Sequence, residues 1–502
     1  MRYYVVRENR HFIGRETYLT RLQQIDAQEA ASVIVVYGRR RVGKTELIEQ
    51  FFRKGPILKF EGLQPQRSRI KKNDAAEKRR QIEECLVRLD RYTESGELYR
   101  RMKLERWSDF FEVLLPFVGK TPVVLYFDEL QWLANYGDDF LSEFKPFWDD
   151  HLRHNPRLRV IVSGSAPAFI VNQFLSTSAM YNRSNHMLRL EPFDINEINE
   201  YLGKGLRETL LAAIALGGIP EYLKQVKSAP SIYMGLCEKA YRPQEFFRME
   251  KDRIFVSSLS ANRSYEQVLD FLARRGHATR DGLYKGLNRT KSAYGGGSFS
   301  AVVEELVEVG FIEKYAPLTS DRVRTPKFAR YALSDEYLHF YYRFIDTKRA
   351  DIDAGKFIAN PTMGINRQDF NKLMGFSFER WCRRNEALIA RRLKFGGVVD
   401  YLHGAWFERA GPETQGLQID LMYIRKDSKI IVCEIKYNSD APVNRRVIKD
   451  VQSKLDRFLV NNPKYKHYTI ETALITAEPV SANLAAEGFF THLVVAEDLL
   501  GV

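Results

Sequence analysis

The sequence predicts an α/β chain: a P-loop parallel-sheet domain, a helical middle and a second, smaller α/β unit at the C-terminal end. Three observations predict it. Val33 to Tyr37 is a β-branched apolar run leading into Gly38-Arg-Arg-Arg-Val-Gly43-Lys44-Thr45, after which Leu47, Ile48 and Phe51 share one helical face. A second apolar run, Val123 to Phe127, ends in Asp128-Glu129. Near the C-terminus, Leu417 to Arg425 and Ile430 to Lys436 read as a hairpin carrying Asp420 on one strand and Glu434-Ile-Lys436 on the other.

Strand, glycine loop and helix arrive in the order that a phosphate cradle requires. Gly38, Arg39, Arg40, Arg41, Val42, Gly43, Lys44, Thr45 and Glu46 make the loop and the first helical turn. The loop's N–H groups curl around the phosphates of ATP, Lys44 adds a positive charge, and the Thr45 hydroxyl suits Mg²⁺. Asp128 at the end of the second run is the partner metal ligand, and Glu129 orients and deprotonates an attacking water. A third strand, Leu158-RVIVSGS, brings Ser163 and Ser165 to its end, where one senses the γ-phosphate or both serve as helix caps. Between P-loop and acidic strand, Gln66 to Arg106 is dense in Lys and Arg, with Ile82, Leu86 and Leu89 at helical spacing. It reads as an amphipathic insertion, either solvated or touching nucleic acid.

Further along, Tyr265 to Gly276, the segment after Thr279, and Ser298 to Gly310 read as three helices. Phe311-IEKYAPL and Phe328-ARYALSD follow as a hairpin. Together they predict a winged helix-turn-helix. Arg289, Lys291, Arg322, Arg324, Lys327 and Arg330 offer phosphate contacts, while Glu304, Glu305 and Glu308 on the third helix oppose them. DNA binding and a protein–protein adaptor role both remain open. Ala354 to Gln368, with Gly355, Pro361 and Gly364, reads as a linker. In the final unit Asp420 and Glu434 converge across strands, and Lys436, two residues on, faces the same way as Glu434. Two carboxylates and a lysine suit a divalent cation, Mg²⁺ or Mn²⁺, held against a phosphodiester. A structural strand pair, or a domain that binds DNA without cutting it, uses the same residues.

Several motifs resemble AAA+ ATPases of the archaeal type, close to the STAND signalling class: Phe12-Ile-Gly14-Arg15-Glu16, FDELQWL at the acidic strand, Tyr181-Asn-Arg183, and Gly217-Gly218-Ile-Pro220-Glu221-Tyr222-Leu223. The resemblance implies Phe12 and Gly14 near the adenine and Arg183 near the phosphates, as an arginine finger or a plain surface arginine. It also implies a helical lid that includes Pro220. Tyr331-ALSDEYLHFYYRF resembles the segment after the winged helix in the same ATPases. The helix around Glu379, the hairpin, the following helix with Gln452, and the later strand resemble the PD-(D/E)xK nuclease superfamily, with Ile419-Asp420 in place of Pro-Asp. That implies a nuclease-like domain in which Glu379, Asp420, Glu434, Lys436 and Gln452 act.

The expected units are therefore 1–195 (AAA+ core), 196–262 (lid), 263–353 (winged helix-turn-helix and following helix) and 366–502 (PD-(D/E)xK nuclease-like). The chain has 502 residues and a net charge of +13, which suits a polyanionic partner or simply a soluble surface. Its four cysteines form no C-x-x-C pair. No apolar stretch reaches the roughly 20 residues of a membrane span. A cytoplasmic ATP- and Mg²⁺-dependent ATPase-nuclease acting on DNA in defence or repair is the expectation. Homo-oligomerisation, a protein partner through the winged helix and no membrane partner complete it. The other reading is a nucleotide-switched signalling or regulatory protein whose C-terminal domain binds without cleaving.

Overall fold

A computed structural model of the chain describes residues 3–64, 74–119, 123–176, 186–258, 263–288, 296–319, 329–408, 410, 416–438 and 442–500. Arg183, Arg289, Lys291, Arg322, Arg324 and Lys327, and the start of the basic insertion, lie outside them.

The N-terminal half is helix α1 (Glu16–Asp26), β1 (Ser32–Tyr37), α2 (Lys44–Phe52), β2 (Ile57–Glu61), α3 (Ala75–Thr93), α4 (Trp107–Val118), β3 (Val124–Asp128), α5 (Leu130–Leu133), α6 (Asp139–Asp150), β4 (Arg159–Gly164), α7 (Pro167–Val171) and β5 (His186–Arg189). The five strands form one parallel sheet in the order β2-β3-β4-β1-β5. Both faces are covered, so β1, β3 and β4 are buried along nearly their whole length and mostly apolar, as interior parallel strands are. This is the expected P-loop parallel-sheet fold. The P-loop strand lies inside the sheet between β4 and β5, and its C-terminal end opens where ligands bind in open α/β sheets.

The basic insertion folds as α3. Its buried stripe is Ile82, Cys85, Leu86 and Leu89, and Asp74 caps its N-terminus. Its cations are largely answered by nearby acids: Lys78 by Asp139, Arg80 by Glu77, Arg88 by Glu84 and Arg100 by Asp90. That favours a solvated, self-neutralised helix.

Next come α8 (Ile195–Leu202), α9 (Leu206–Leu216), α10 (Pro220–Lys227), α11 (Ile232–Ala240) and α12 (Phe246–Ser258). Gly218 allows α10 to start where it does. Its φ is +74°, and a Cβ there would sit 2.2 Å from the Phe193 carbonyl oxygen. Helices α13 (Arg263–Arg275), α14 (Arg280–Asn288) and α15 (Gly296–Val309) then pack with β6 (His277–Thr279), β7 (Ile312–Tyr315) and β8 (Arg330–Leu333). The strands form an antiparallel sheet ordered β6-β8-β7. The sequence predicts only the β7–β8 hairpin, because a three-residue β6 carries no periodic signal. Helix α15 packs against α7 of the N-terminal domain, and Glu305 accepts from the Tyr265 hydroxyl. Of its three acids Glu305 is engaged inside the protein, while Glu304 stays exposed.

Helices α16 (Glu336–Phe340) and α17 (Arg349–Asp353) lead to α18 (Arg367–Arg384) and α19 (Glu386–Arg392). The stretch read as a linker is packed: Phe357 and Ile365 are buried, and Gly364 lies against the Tyr241 ring. The long helix expected over 370–393 breaks at Asn385 into α18 and α19. The last unit comprises β9 (Tyr401–Glu408), β10 (Leu417–Arg425), β11 (Lys429–Lys436), α20 (Arg446–Asn461), β12 (Thr469–Thr476), α21 (Ala482–Ala486) and β13 (His492–Val495). Its sheet runs β13-β12-β11-β10-β9, with β9 to β11 antiparallel and β11 to β13 parallel. One apolar core runs unbroken from Ile195 on α8 through the helical middle to Ile435 on β11 and Leu499.

Candidate nucleotide site and a second carboxylate–lysine centre

Gly38 and Gly43 bracket the P-loop. At Gly38 a Cβ would meet the Leu190 carbonyl oxygen at 2.4 Å, so only glycine lets β1 turn this tightly beside β5. Lys44, at the N-terminus of α2, is buried. Its ammonium donates to the carbonyls of Gly38 and Arg39 at 3.1 and 3.0 Å. Burial pulls this lysine below its ordinary value, against the opposing pull of Glu129 and Asp128. A buried cation held only by carbonyls is completed by an anion.

Thr45 donates to Asp128 Oδ2 at 3.0 Å. Lys59, on β2, lies 3.1 Å from the same oxygen, and Ser163 donates to Oδ1. Burial opposes the Asp128 charge, yet Lys59 and Ser163 hold its carboxyl below the usual range. Lys59 escapes sequence reading because a lysine inside an apolar strand carries no motif. Glu129 has φ +53°, a left-handed conformation uncommon for a residue with a side chain. Its Oε2 accepts from the Ser165 N–H at 3.2 Å and the Ser165 hydroxyl at 2.7 Å. The two serines thus each orient one acid, and Ser163 is fully buried on Asp128.

A cavity of about 390 Å³ opens beside this loop. Phe12, Arg41, Val42, Gly43, Lys44, Thr45, Glu46, Glu129 and Pro220 line it, together with Arg15, Phe193 and Tyr201. Gly14 packs beneath, against Glu197. Arg15 fixes the loop by donating to the Val42 carbonyl at 2.9 Å and the Glu191 carbonyl at 2.7 Å. Arg39 and Arg40 turn away from the cavity. Arg39 pairs with Asp335, the cap of α16, and lies over the Phe311 ring. Arg40 reaches the Arg253 carbonyl at 3.4 Å, and Arg41 pairs with buried Glu250 of α12 at 2.8 Å. Beside Asp335, Glu336 binds Arg380 at 2.6 Å and Arg384 at 3.0 Å, both on α18. Ion pairs therefore run from the P-loop to the helix that carries Glu379.

At the other end of that helix's reach lies the second centre. Leu421 pairs with Cys433, so Asp420 and Glu434 stand one step further along opposite strands. Asp420 Oδ2 accepts from the Ile435 N–H at 3.0 Å. Burial, then the charge of Glu434, raises the Asp420 carboxyl. Burial, then Asp420, raises Glu379 to about 7. Glu434 is bound on both oxygens: Oε1 by Lys436 at 2.7 Å and Oε2 by Lys454 at 2.6 Å.

Gln452 is not among these residues; it is exposed and donates to Asp456 at 2.8 Å. The buried stripe of α20, Val447, Val451, Leu455 and Phe458, sets the helix rotation. At about 100° per residue, Gln452 swings away from Val451 while Lys454 lies within about 60° of it. Lys454 therefore takes the place assigned to Gln452. Among the described residues no group of three or more His, Cys, Asp or Glu side chains is arranged to hold a metal ion. The centre as folded does not fit Mg²⁺ or Mn²⁺, because the lysines occupy Glu434.

Comparisons with known proteins match the first site. Residues 12–226 match the family described as an ATPase domain predominantly from Archaea. The chain thus carries a P-loop ATPase domain. Residues 341–452 match a family described as archaeal and bacterial proteins of unknown function. Over 464 residues the chain is 25% identical to an uncharacterized protein of Methanocaldococcus jannaschii, covering 91% of this chain and 94% of that one. Similar solved structures include a Walker-type ATPase of Pyrococcus abyssi (18% identity, 66% of this chain and 96% of that chain, TM-score 0.46). The ORC2 protein of Aeropyrum pernix is another (12% identity, 71% and 97%, TM-score 0.41). Among the described residues no helix is long and apolar enough to cross a membrane.

Proposed function

We propose that the chain is an ATP-hydrolysing switch whose nucleotide state governs a C-terminal centre acting on nucleic acid, with DNA the expected substrate. The carrying observation is the series of ion pairs Arg39–Asp335 and Glu336–Arg380/Arg384, which starts in the P-loop and ends on the helix of Glu379. The units proposed are an AAA+ core (1–195), a lid (196–262), a winged helix-turn-helix (263–353) and a PD-(D/E)xK-like unit (366–502). The three helices and antiparallel sheet over 263–333 support the third, and the order of α18, hairpin, α20 and β12 supports the fourth. The buried Lys44, the open loop at Gly43 and the Thr45–Asp128 pair fit ATP with Mg²⁺.

In this reading the loop N–H groups and Lys44 hold the phosphates, and Thr45 and Asp128 hold the metal. Bound there, Mg²⁺ supplies charge neutralisation on the phosphate oxygens. Lys59 and Ser163 keep Asp128 ionised and oriented. Glu129, aimed by Ser165, accepts the proton of the attacking water. Phe12 and Pro220 flank the base. Pro220 ties the lid to the site, so hydrolysis alters the seat of α10. At the second centre Asp420, Glu434, Lys436, Lys454 and Glu379 face the substrate phosphate. Defence against foreign DNA and repair are both served by this chemistry.

The Lys436–Glu434–Lys454 contacts favour a second reading, a nucleotide-switched regulator whose C-terminal unit binds without cleaving. Purified protein with ATP and Mg²⁺ or Mn²⁺ on linear, circular and branched DNA separates the two, alongside Lys44→Ala and Asp420→Ala. Cleavage lost in Asp420→Ala supports the nuclease; cleavage that survives it refutes the assignment. DNA binding without cleavage under all conditions supports the regulator.

A further inference from the structure

A cleft of about 550 Å³ lies between the β6-β8-β7 sheet and α18, apart from the P-loop site and bordering the second centre. Seven of its lining side chains are arginine or lysine, and three are acidic. Arg274, Arg343 and Lys372 are well exposed at its rim. All three acids are already answered, Glu313 by Arg384, Asp369 by Arg343 and Glu379 by Arg383. The surplus is positive. Phe376, on the outer face of α18, is 61% exposed, which no packing argument explains in a helix whose neighbours Phe370 and Phe378 are buried.

The cleft has a fixed frame. Leu318, just past β7, donates to the Ala405 carbonyl at 2.8 Å and accepts from the Phe407 N–H at 3.0 Å, stitching the small sheet to β9. The Arg330 guanidinium lies 4.1 Å from the Phe407 ring centroid across the same seam. The floor is shared with the second centre: Glu379 lines the cleft and feels the charge of Asp420. Gln418, also lining it, lies two residues before Asp420 on β10.

We propose that this cleft binds single-stranded nucleic acid, with phosphates on its arginines and lysines and one base stacked on Phe376. A charged groove with an exposed aromatic ring is the chemistry that holds a strand with splayed bases. The cleft's volume is that of a site enclosing a small ligand, and on that scale the proposal is for a single strand rather than a duplex. The strand then passes Glu379 on its way to Asp420 and Glu434. The direction of travel rests on the nuclease reading; the binding does not.

The test is fluorescence anisotropy of a labelled oligothymidylate, and of a duplex, with the full chain in EDTA. Phe376→Ala is expected to weaken single-strand binding roughly 5- to 150-fold, as loss of one stacked base does. Lys372→Glu is expected to weaken it and to reduce the slope of log affinity against log salt by about one. Both variants should hydrolyse ATP as the parent does. Single-strand affinity unchanged in both, or duplex bound as tightly as the single strand, overturns the proposal. Asp420→Ala separates the two readings. Strand binding that depends on Phe376 with no cleavage by the parent leaves the cleft standing and the nuclease fallen; cleavage with binding indifferent to Phe376 does the reverse.

Discussion

The two centres use the same residue types to opposite ends. In the P-loop site the loop's own cation is kept apart from the acids: Lys44 rests on carbonyls, Asp128 is paired with Lys59 instead, and Lys44 and Glu129 both line an open cavity. In the C-terminal centre they are joined, with Glu434 clasped by Lys436 and Lys454. A site with separated charges is organised for a ligand before the ligand comes. A site whose charges are paired must exchange partners first, and that exchange gives a switch something to control.

The comparison can be broken most sharply at Lys44. Lys44→Ala should lower ATP turnover roughly 10²- to 10³-fold, the usual cost of removing one preorganised charge-stabilising donor. Malachite-green phosphate release measures it, and a loss below tenfold would mean that the separated site is not the hydrolytic one.

Glu379 comes next. Its carboxyl is raised to about 7, so between the ordinary carboxylate value and about pH 7 the folded chain holds a proton that the unfolded chain has lost. Stability therefore falls as pH rises through that window, by on the order of 3 kcal/mol in all. Glu379→Gln should remove this slope in urea melts at a series of pH values; an unaltered slope would place the proton elsewhere.

Lys454→Ala tests the closed centre. With one lysine gone from Glu434, Mn²⁺ should bind on the order of tenfold more tightly, since an adjacent positive charge opposes a cation by roughly 1–2 kcal/mol even at the dielectric of water. Isothermal titration of Asp420→Ala in parallel would show whether the added affinity belongs to this centre.

The smallest effect is expected at Arg39→Ala, which leaves the cradle intact and cuts the link to Asp335. ATP should still be hydrolysed, while the change in nucleic-acid affinity between ATP and ADP states should shrink about fivefold, near the lower end of ordinary coupling energies.

The sequence made the first site legible because Gly38, Gly43, Lys44, Thr45, Asp128 and Glu129 lie in two short runs beside their own strands. Lys59 and Lys454 were not legible. Each reaches its carboxylate only because neighbouring strands, or the rotation of α20, bring it there. Gln452 shows the same limit from the other side, since spacing along a helix does not say which face the core will claim. Strand β9 escaped because its centre, His403-Gly404-Ala405, interrupts the alternation that marks a strand. The packed course of 354–368 escaped because Gly and Pro mark a turn without saying what it rests against.

The bond from Arg39 to Asp335 joins residues 296 positions apart. At translation rates of about 5–20 residues per second, the P-loop leaves the ribosome roughly 15–60 s before its partner exists. A nascent chain therefore carries a nucleotide cradle with Arg39 and Arg41 unpaired, since Glu250 also comes late. Whether the young domain already binds ATP in that interval sets the order of assembly: a cradle filled early would template the C-terminal half around a loaded site, and one filled late would be closed by the half it controls.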